Sequence, residues 1–252
     1  MERRTGLNPT NEADIVTSFN KARLAFIIPS FNHLVGAQIE QIHNLFSDYQ
    51  KEIIIIDDGS ETPILESPDP GAILITHDQN LGLAQSLVDG YKKSLDTNAD
   101  IVVRADADGE YPISSIPYAI HILNDPRNIG VFVQHKRSAK SSGLVDATFH
   151  NVMGYVEGKL LIGQPLKQHS PGLQIYRSAV IEKMVPILEK YLVERDVRWG
   201  LDLLTLRLAS QMGQIIPITL DSHIWYERRP IQKIVSQLAG AIKVLLAVKR
   251  MN

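Results

Sequence analysis

Three polar segments stand out in the 252-residue chain, each following directly on an apolar run: Pro29-Ser30-Phe31-Asn32, Asp57-Asp58-Gly59-Ser60 and Asp106-Ala107-Asp108-Gly109-Glu110. Carboxylates brought together repel one another and raise each other's pKa, so a bound cation or a donor-rich ligand is their natural compensation. In an extended chain, residues two apart point the same way, which predicts Asp106, Asp108 and Glu110 on one side. Oxygen-only ligands select a hard divalent ion, Mg²⁺ or Mn²⁺, over zinc. The plainer alternative is a solvated turn, with Asp108 or Glu110 close to a helix start. The acid pair at 57–58, at the end of a neighbouring apolar run, weighs against it.

Such residues act together only if the backbone delivers them to one edge. Short apolar runs alternate with amphipathic ones, the rhythm of strand-helix-strand units on a mostly parallel sheet flanked by helices, an α/β fold. The pattern predicts strands over Leu24–Pro29, Glu52–Ile56, Ala72–Thr76 and Asp100–Arg104, and helices over Ala37–Tyr49, Leu81–Ser94 and Ile113–Asn124. The run of isoleucines at 53–56 is the composition of a strand covered on both faces. Farther on it predicts strands over Val131–His135, Gly172–Tyr176 and Ile215–Leu220, with helices over Thr148–Ile162, Ala179–Tyr191 and Gly200–Met212. In parallel sheets ligands bind beyond the carboxyl ends of the strands, which is where the acids fall. The organisation read from this is a polar tail at 1–21, a ligand-binding half at 22–130, a second half of the same domain at 131–230, and an amphipathic helix at 231–252. Apolar residues from Ile231 to Leu246 make one stripe on that last helix, which either packs on the body or touches a membrane surface from the periphery.

Composition narrows the classes further. With 44% hydrophobic and 21% charged residues the chain is an ordinary globular one. Twenty-six basic residues against 28 acids leave no global positive field for nucleic acid. Absence of cysteine removes disulfides, thiolate zinc sites and a cysteine nucleophile. No secretory signal opens the chain and no apolar run approaches the length of a span, so the expected place is the cytoplasm, free or at the membrane's cytoplasmic face.

The succession IIPSFN (27–32), IIIIDDGS (53–60), NLGLAQSLVDG (80–90) and ADADGE (105–110) resembles the nucleotide-sugar domain of GT-A glycosyltransferases of family 2, and the chain is similar in length to short, anchor-free relatives of dolichol-phosphate mannose synthase. The resemblance implies a metal-dependent inverting transfer of a hexose from a UDP- or GDP-sugar to a polyprenyl phosphate, a glycan or a small molecule. It assigns Pro29, Ser30, Asn32, Asp57, Asp58, Asn80, Gly82 and Asp106 to the nucleotide sugar, and Asp106, Asp108 and Glu110 to Mn²⁺ or Mg²⁺. The cation would neutralise charge growing on the departing diphosphate.

Beyond residue 130 the likeness thins. His169-Ser170-Pro171-Gly172-Leu173-Gln174-Ile175-Tyr176-Arg177 stands where family members carry D-x-x-S-G-F-R-x-Y, with Gln168, Leu173 and Gln174 replacing the Asp, Phe and Arg. Gly200-Leu201-Asp202 matches a G-E-D helix start with Leu201 in place of Glu, and makes Asp202 the candidate base toward an acceptor hydroxyl, against a plain helix-start acid. Arg137 matches an Arg that faces the acceptor or diphosphate. Arg228, Arg229 and Lys233 match a closing basic segment over the diphosphate, or are a solvated cluster. His223 either completes the metal shell or is an ordinary histidine, and Trp225 and Tyr226 stack on an acceptor or fill the core. A catalytically silent nucleotide-sugar-binding protein is the alternative that the altered positions raise. A nucleotidyltransferase is disfavoured by Ser30-Phe31-Asn32-His33, which lacks a glycine-rich basic loop, and neither G-x-G-x-x-G nor a P-loop occurs.

Overall fold

Seven strands join in one sheet in the computed structural model, which describes residues 22–64, 69–136, 143–195 and 198–221, together with 239, 242 and 243. Strands β1 (Leu24–Ser30), β2 (Lys51–Asp57), β3 (Ile73–Thr76) and β4 (Ile101–Ala105) run parallel. β5 (Asn128–Lys136) and β7 (Gln214–Asp221) are parallel to each other, and β6 (Leu173–Arg177) lies antiparallel between β4 and β5. The order is β3-β2-β1-β4-β6-β5-β7. Because β2 and β4 flank β1, the connections leave β1 toward opposite sides and open a crevice above its carboxyl end.

Helices α1 (Gly36–Leu45), α2 (Leu83–Leu95), α3 (Ile116–Ile122), α4 (Leu144–Glu157), α5 (Ser178–Arg195) and α6 (Leu201–Met212) cover the two faces. Successive isoleucines of β2 serve opposite cores: Ile54 and Ile56 pack with α2, α5 and α6, while Ile53 and Ile55 pack with α1 and α3. All four are buried, each contributing about 1.5–3 kcal/mol of apolar burial. The two-sided cover expected from this run is therefore present.

Helix ends differ from the pattern for local reasons. α1 stops at Leu45 rather than Tyr49, where Phe46 turns inward against Phe26 with ring centroids 5.2 Å apart. Ile113–Ser115 is a 3₁₀ turn, and α3 starts at Ile116 with Pro117 in its first turn, where proline's missing N–H costs nothing. The helix expected over Thr148–Ile162 begins earlier, at Leu144 after Gly143 with φ 86°, and changes to a π turn over Gly158–Ile162. A Cβ at Gly158 would lie 2.3 Å from the carbonyl oxygen of Gln164, so only glycine admits that close return of the chain. The tail at 1–21, Arg137, and His223, Trp225, Tyr226, Arg228, Arg229 and Lys233 lie outside the described residues, as does most of 231–249.

Candidate active site

A cleft of about 510 Å³ opens above the carboxyl ends of β1, β2 and β4. Pro29 and Ser30 enter it from β1, and the Ser30 hydroxyl donates to the His33 carbonyl at 3.0 Å, curling the following loop. Asn32 is in the left-handed region at φ 59°, exposed and not part of the cleft lining. Its N–H donates to Ser60 Oγ at 2.9 Å and its Oδ1 accepts the Glu61 N–H at 2.8 Å, tying the loop after β1 to the loop after β2.

The two acids after β2 divide the work of holding their loops. Asp57 is fully buried behind the cleft, accepting the N–H groups of Ser60 at 3.0 Å and Ile64 at 2.8 Å. Asp58 lines the cleft, with Oδ1 accepting from His77 Nδ1 at 2.8 Å and Leu81 N at 2.9 Å, and Oδ2 accepting from Gly82 N at 2.9 Å. It caps the start of α2 from a distant strand, which is why that helix begins at Leu83 rather than Leu81. Gly82, at φ 96°, lets the chain pass Arg198, whose Cβ would stand 2.8 Å from an added Cβ. Arg198 Nη2 donates to the carbonyl of Asn80 at 2.6 Å and also to Asn80 Oδ1. Asn80, Gly82, Arg198 and Trp199 complete this wall.

After β4 the chain does not stay extended. Residues 107–109 turn, with Gly109 at φ 72°, and Asp108 Oδ1 accepts the Glu110 N–H at 3.0 Å. The expected one-sided row of three carboxylates is thus replaced by a turn, and among the described residues no three acids or histidines close on one point. Asp106, Asp108 and Glu110 all still line the cleft. Beneath them lies Arg104, buried within β4, which donates to Asp106 Oδ1 at 2.7 Å and to the Pro171 carbonyl at 3.3 Å. Burial pushes the Asp106 carboxyl up to about 7; Arg104 opposes the rise and Asp108 adds to it. Asp106, Asp108 and Glu110 are the residues that could hold a hard divalent cation, an all-oxygen set whose inner member gains from added positive charge.

The far wall is built differently. Asp202, at the start of α6, is fully buried and does not line the cleft. Its Oδ2 accepts the Ser170 hydroxyl, so it reaches the cleft through Ser170, itself held at φ 58°. Gln168 lines the cleft as well, accepting the His135 N–H at 2.8 Å and donating to Tyr111 Oη at 2.8 Å. His169 follows with Nδ1 against both oxygens of Glu157, at 2.9 and 2.8 Å. Neither Glu157 nor a role for His169 is legible from composition. A lone Glu in an amphipathic run reads as a solvated face, and only the position of His169 just before Ser170-Pro171-Gly172 signals anything. Arg198 and Trp199 sit equally close to the Gly200-Leu201-Asp202 signature.

Residues 25–185 match the model of glycosyl transferase family 2. The chain belongs to that family. Two curated relatives are similar: an uncharacterized protein of Methanocaldococcus jannaschii, 31% identical over 99 residues, spanning 38% of this chain and 40% of the relative, and the UDP-N-acetylglucosamine–dolichyl-phosphate N-acetylglucosaminyltransferase of Methanococcus voltae, 25% identical over 62% of this chain and 70% of that one. Among solved structures, glucosyl-3-phosphoglycerate synthase from Mycobacterium tuberculosis, in complex with Mn²⁺, UDP-glucose and phosphoglyceric acid, superposes with a TM-score of 0.58 at 16% identity, over 90% of this chain and 79% of that one. The GT-A arrangement expected of a family 2 member is therefore the observed fold. Within it, the replacement of the family's Arg by Gln174 has a local reason. Gln174 is in register with the buried Arg104, where a second guanidinium would set two buried like charges side by side. The neutral amide instead donates to the carbonyls of Pro171 and Asp202, both at 3.1 Å, and accepts from Tyr176 Oη and Thr205 Oγ1.

Proposed function

We propose that the chain is a metal-dependent inverting glycosyltransferase that moves a hexose from a UDP- or GDP-sugar to a polyprenyl-phosphate or hydroxyl acceptor. The observation that carries this reading is the meeting of Asp58, Asp106 and Asp108 on one cleft, from the ends of two strands flanking β1. Pro29, Ser30, Asn80 and Gly82 shape the nucleoside side, and Asp57 and Asn32 brace the loops behind it. Asp106 and Asp108, with Glu110 beside them, hold Mn²⁺ or Mg²⁺, which when bound supplies positive charge to the leaving diphosphate. Arg104 aims Asp106 and opposes the burial that raises its carboxyl; by resemblance Arg137 is assigned to the acceptor or the diphosphate, and Arg228 and Arg229 to the diphosphate. The acceptor attacks the anomeric carbon from the side opposite the diphosphate, against the wall carrying Gln168, His169 and Ser170.

The similar dolichyl-phosphate enzyme supports a lipid acceptor, and the synthase holding phosphoglyceric acid supports a small hydroxyl one. With a lipid acceptor the chain would work at a membrane surface, with 231–249 as its contact. No helix among the described residues is long and apolar enough to cross a membrane. The test is a thermal-shift panel of UDP-glucose and GDP-mannose with and without Mn²⁺. One donor at a hundred times its Kd should add about 2.7 kcal/mol of stability, and the Mn²⁺-dependent part should vanish in Asp108→Asn. No shift with any nucleotide sugar would end the reading. A shift without release of nucleoside diphosphate, across acceptors, would favour the silent binding protein.

A further inference from the structure

Two buried carboxylates clamp one corner of the cleft. Glu157, at the last residue of α4, is fully buried and gives both oxygens to His169 Nδ1. Asp202, at the start of α6, holds the hydroxyl of the next residue, Ser170. Both clamped residues line the cleft, and Ser170 adopts a left-handed φ that few non-glycine residues take. A corner held this tightly by charge presents its side chains in one orientation.

Charge placement gives His169 a definite chemistry. A carboxylate on Nδ1 fixes the proton there, so Nε2 keeps its lone pair and is the nitrogen left to act in the cleft that His169 lines. Phe149 packs edge-on to the imidazole at 5.3 Å and restrains its plane. The other titratable groups around it are His150 of α4, with ring centroids 5.8 Å away, Asp202 of α6 behind Ser170, and, lining the same cleft, Asp58, Asp106, Asp108, Glu110, Tyr111, His33 and Arg198. Burial raises the Glu157 carboxyl, with His169 pulling it down and Asp202 adding to the rise, so Glu157 favours a positive neighbour. Asp202, by contrast, has no direct access to the cleft.

We infer that His169 is the proton acceptor of the transfer, oriented by Glu157, and that the acceptor substrate is therefore an alcohol. The inference rests on the glycosyltransferase reading and narrows its acceptor. The acceptor oxygen forms its bond to the anomeric carbon while the bond from that carbon to the diphosphate oxygen breaks, its electron pair leaving with the diphosphate. The hydroxyl proton passes to His169 Nε2, and the resulting imidazolium lies against Glu157. A phosphate monoester, already anionic, would have no use for this pair. Glu157 is a positioning residue, acting only through the histidine.

The experiment follows nucleoside diphosphate release from UDP-glucose and GDP-mannose with Mn²⁺, offering 3-phosphoglycerate and a panel of sugar alcohols against undecaprenyl phosphate. Donor binding is read in parallel by thermal shift on wild type, His169→Asn, His169→Gln and Glu157→Gln. Transfer to an alcohol, falling about 10²–10⁴-fold in both His169 variants while the donor-induced shift persists, is the expected result. Glu157→Gln should lower kcat and move the acid limb of the pH profile toward lower pH, which a purely structural role would not do. If a donor binds and alcohol transfer runs at the wild-type rate without His169, or if undecaprenyl phosphate alone is glycosylated, the inference is overturned. If wild type binds no nucleotide sugar, the underlying function reading fails instead. Should the His169 variants melt early, an acid limb absent from wild type's own profile overturns the assignment.

Discussion

The two walls of the cleft are held by different kinds of bond. On the donor side the acids after β2 grip mainly backbone amides: Asp57 those of Ser60 and Ile64, Asp58 those of Leu81 and Gly82, with the side chain of His77 as one further partner. On the acceptor side carboxylates grip side chains, Glu157 that of His169 and Asp202 that of Ser170. Backbone amides are present whatever residue occupies a position, so at Ser60, Ile64 and Leu81 the donor loops tolerate sequence change so long as the acids remain. A side-chain clamp survives only if both partners are kept. The donor wall is thus a general device for one class of ligand, and the acceptor wall a particular one.

Restoring the family's Arg is the most disruptive way to probe this contrast. Gln174→Arg would place a second buried guanidinium in register with Arg104 and should cost about 3–5 kcal/mol, read by denaturant unfolding. An unchanged midpoint would mean that the acceptor wall is looser than its hydrogen bonds indicate. Asp108→Asn should leave the fold intact and lower turnover about 10²–10³-fold, measured as diphosphate release at saturating Mn²⁺. Asp58→Ala leaves two loop amides and His77 without their acceptor and should destabilise by about 2–4 kcal/mol, most of it recovered in Asp58→Asn only where an amide oxygen can serve. Equal melting of wild type and Asp58→Ala would remove the donor-wall half of the contrast. Gly82→Ala, forced into φ 96° against Arg198, should cost about 1–3 kcal/mol, with a matching loss of donor-induced stabilisation.

Much of the donor wall was legible because its determinants are contiguous. Apolar strand, acids and glycine follow one another within eight residues at 53–60, and the same order recurs at 101–110. Pro29, Ser30, Asp58, Asn80, Gly82, Asp106, Asp108 and Glu110 all line the cleft. Less visible was how the acids are used. Asp57 is buried and Asn32 stands off the cleft lining because loop amides need them, and the turn at Ala107–Gly109 replaces the extended chain because Asp108 bonds the backbone two residues on. On the acceptor wall, Glu157 and His169 are partners across a π turn, and Arg104 meets Gln174 only through strand pairing. Relations of that kind exist in space, not along the chain.

β6 runs against its neighbours, so the stretch Gln168–Gly172 reaches the cleft before its strand begins, whereas the donor segments arrive after theirs end. Two independent supply lines therefore feed one cavity from opposite chain directions. Descent within such a lineage can rewrite what receives the sugar by editing five residues upstream of a single reversed strand, leaving the grip on the activated sugar untouched.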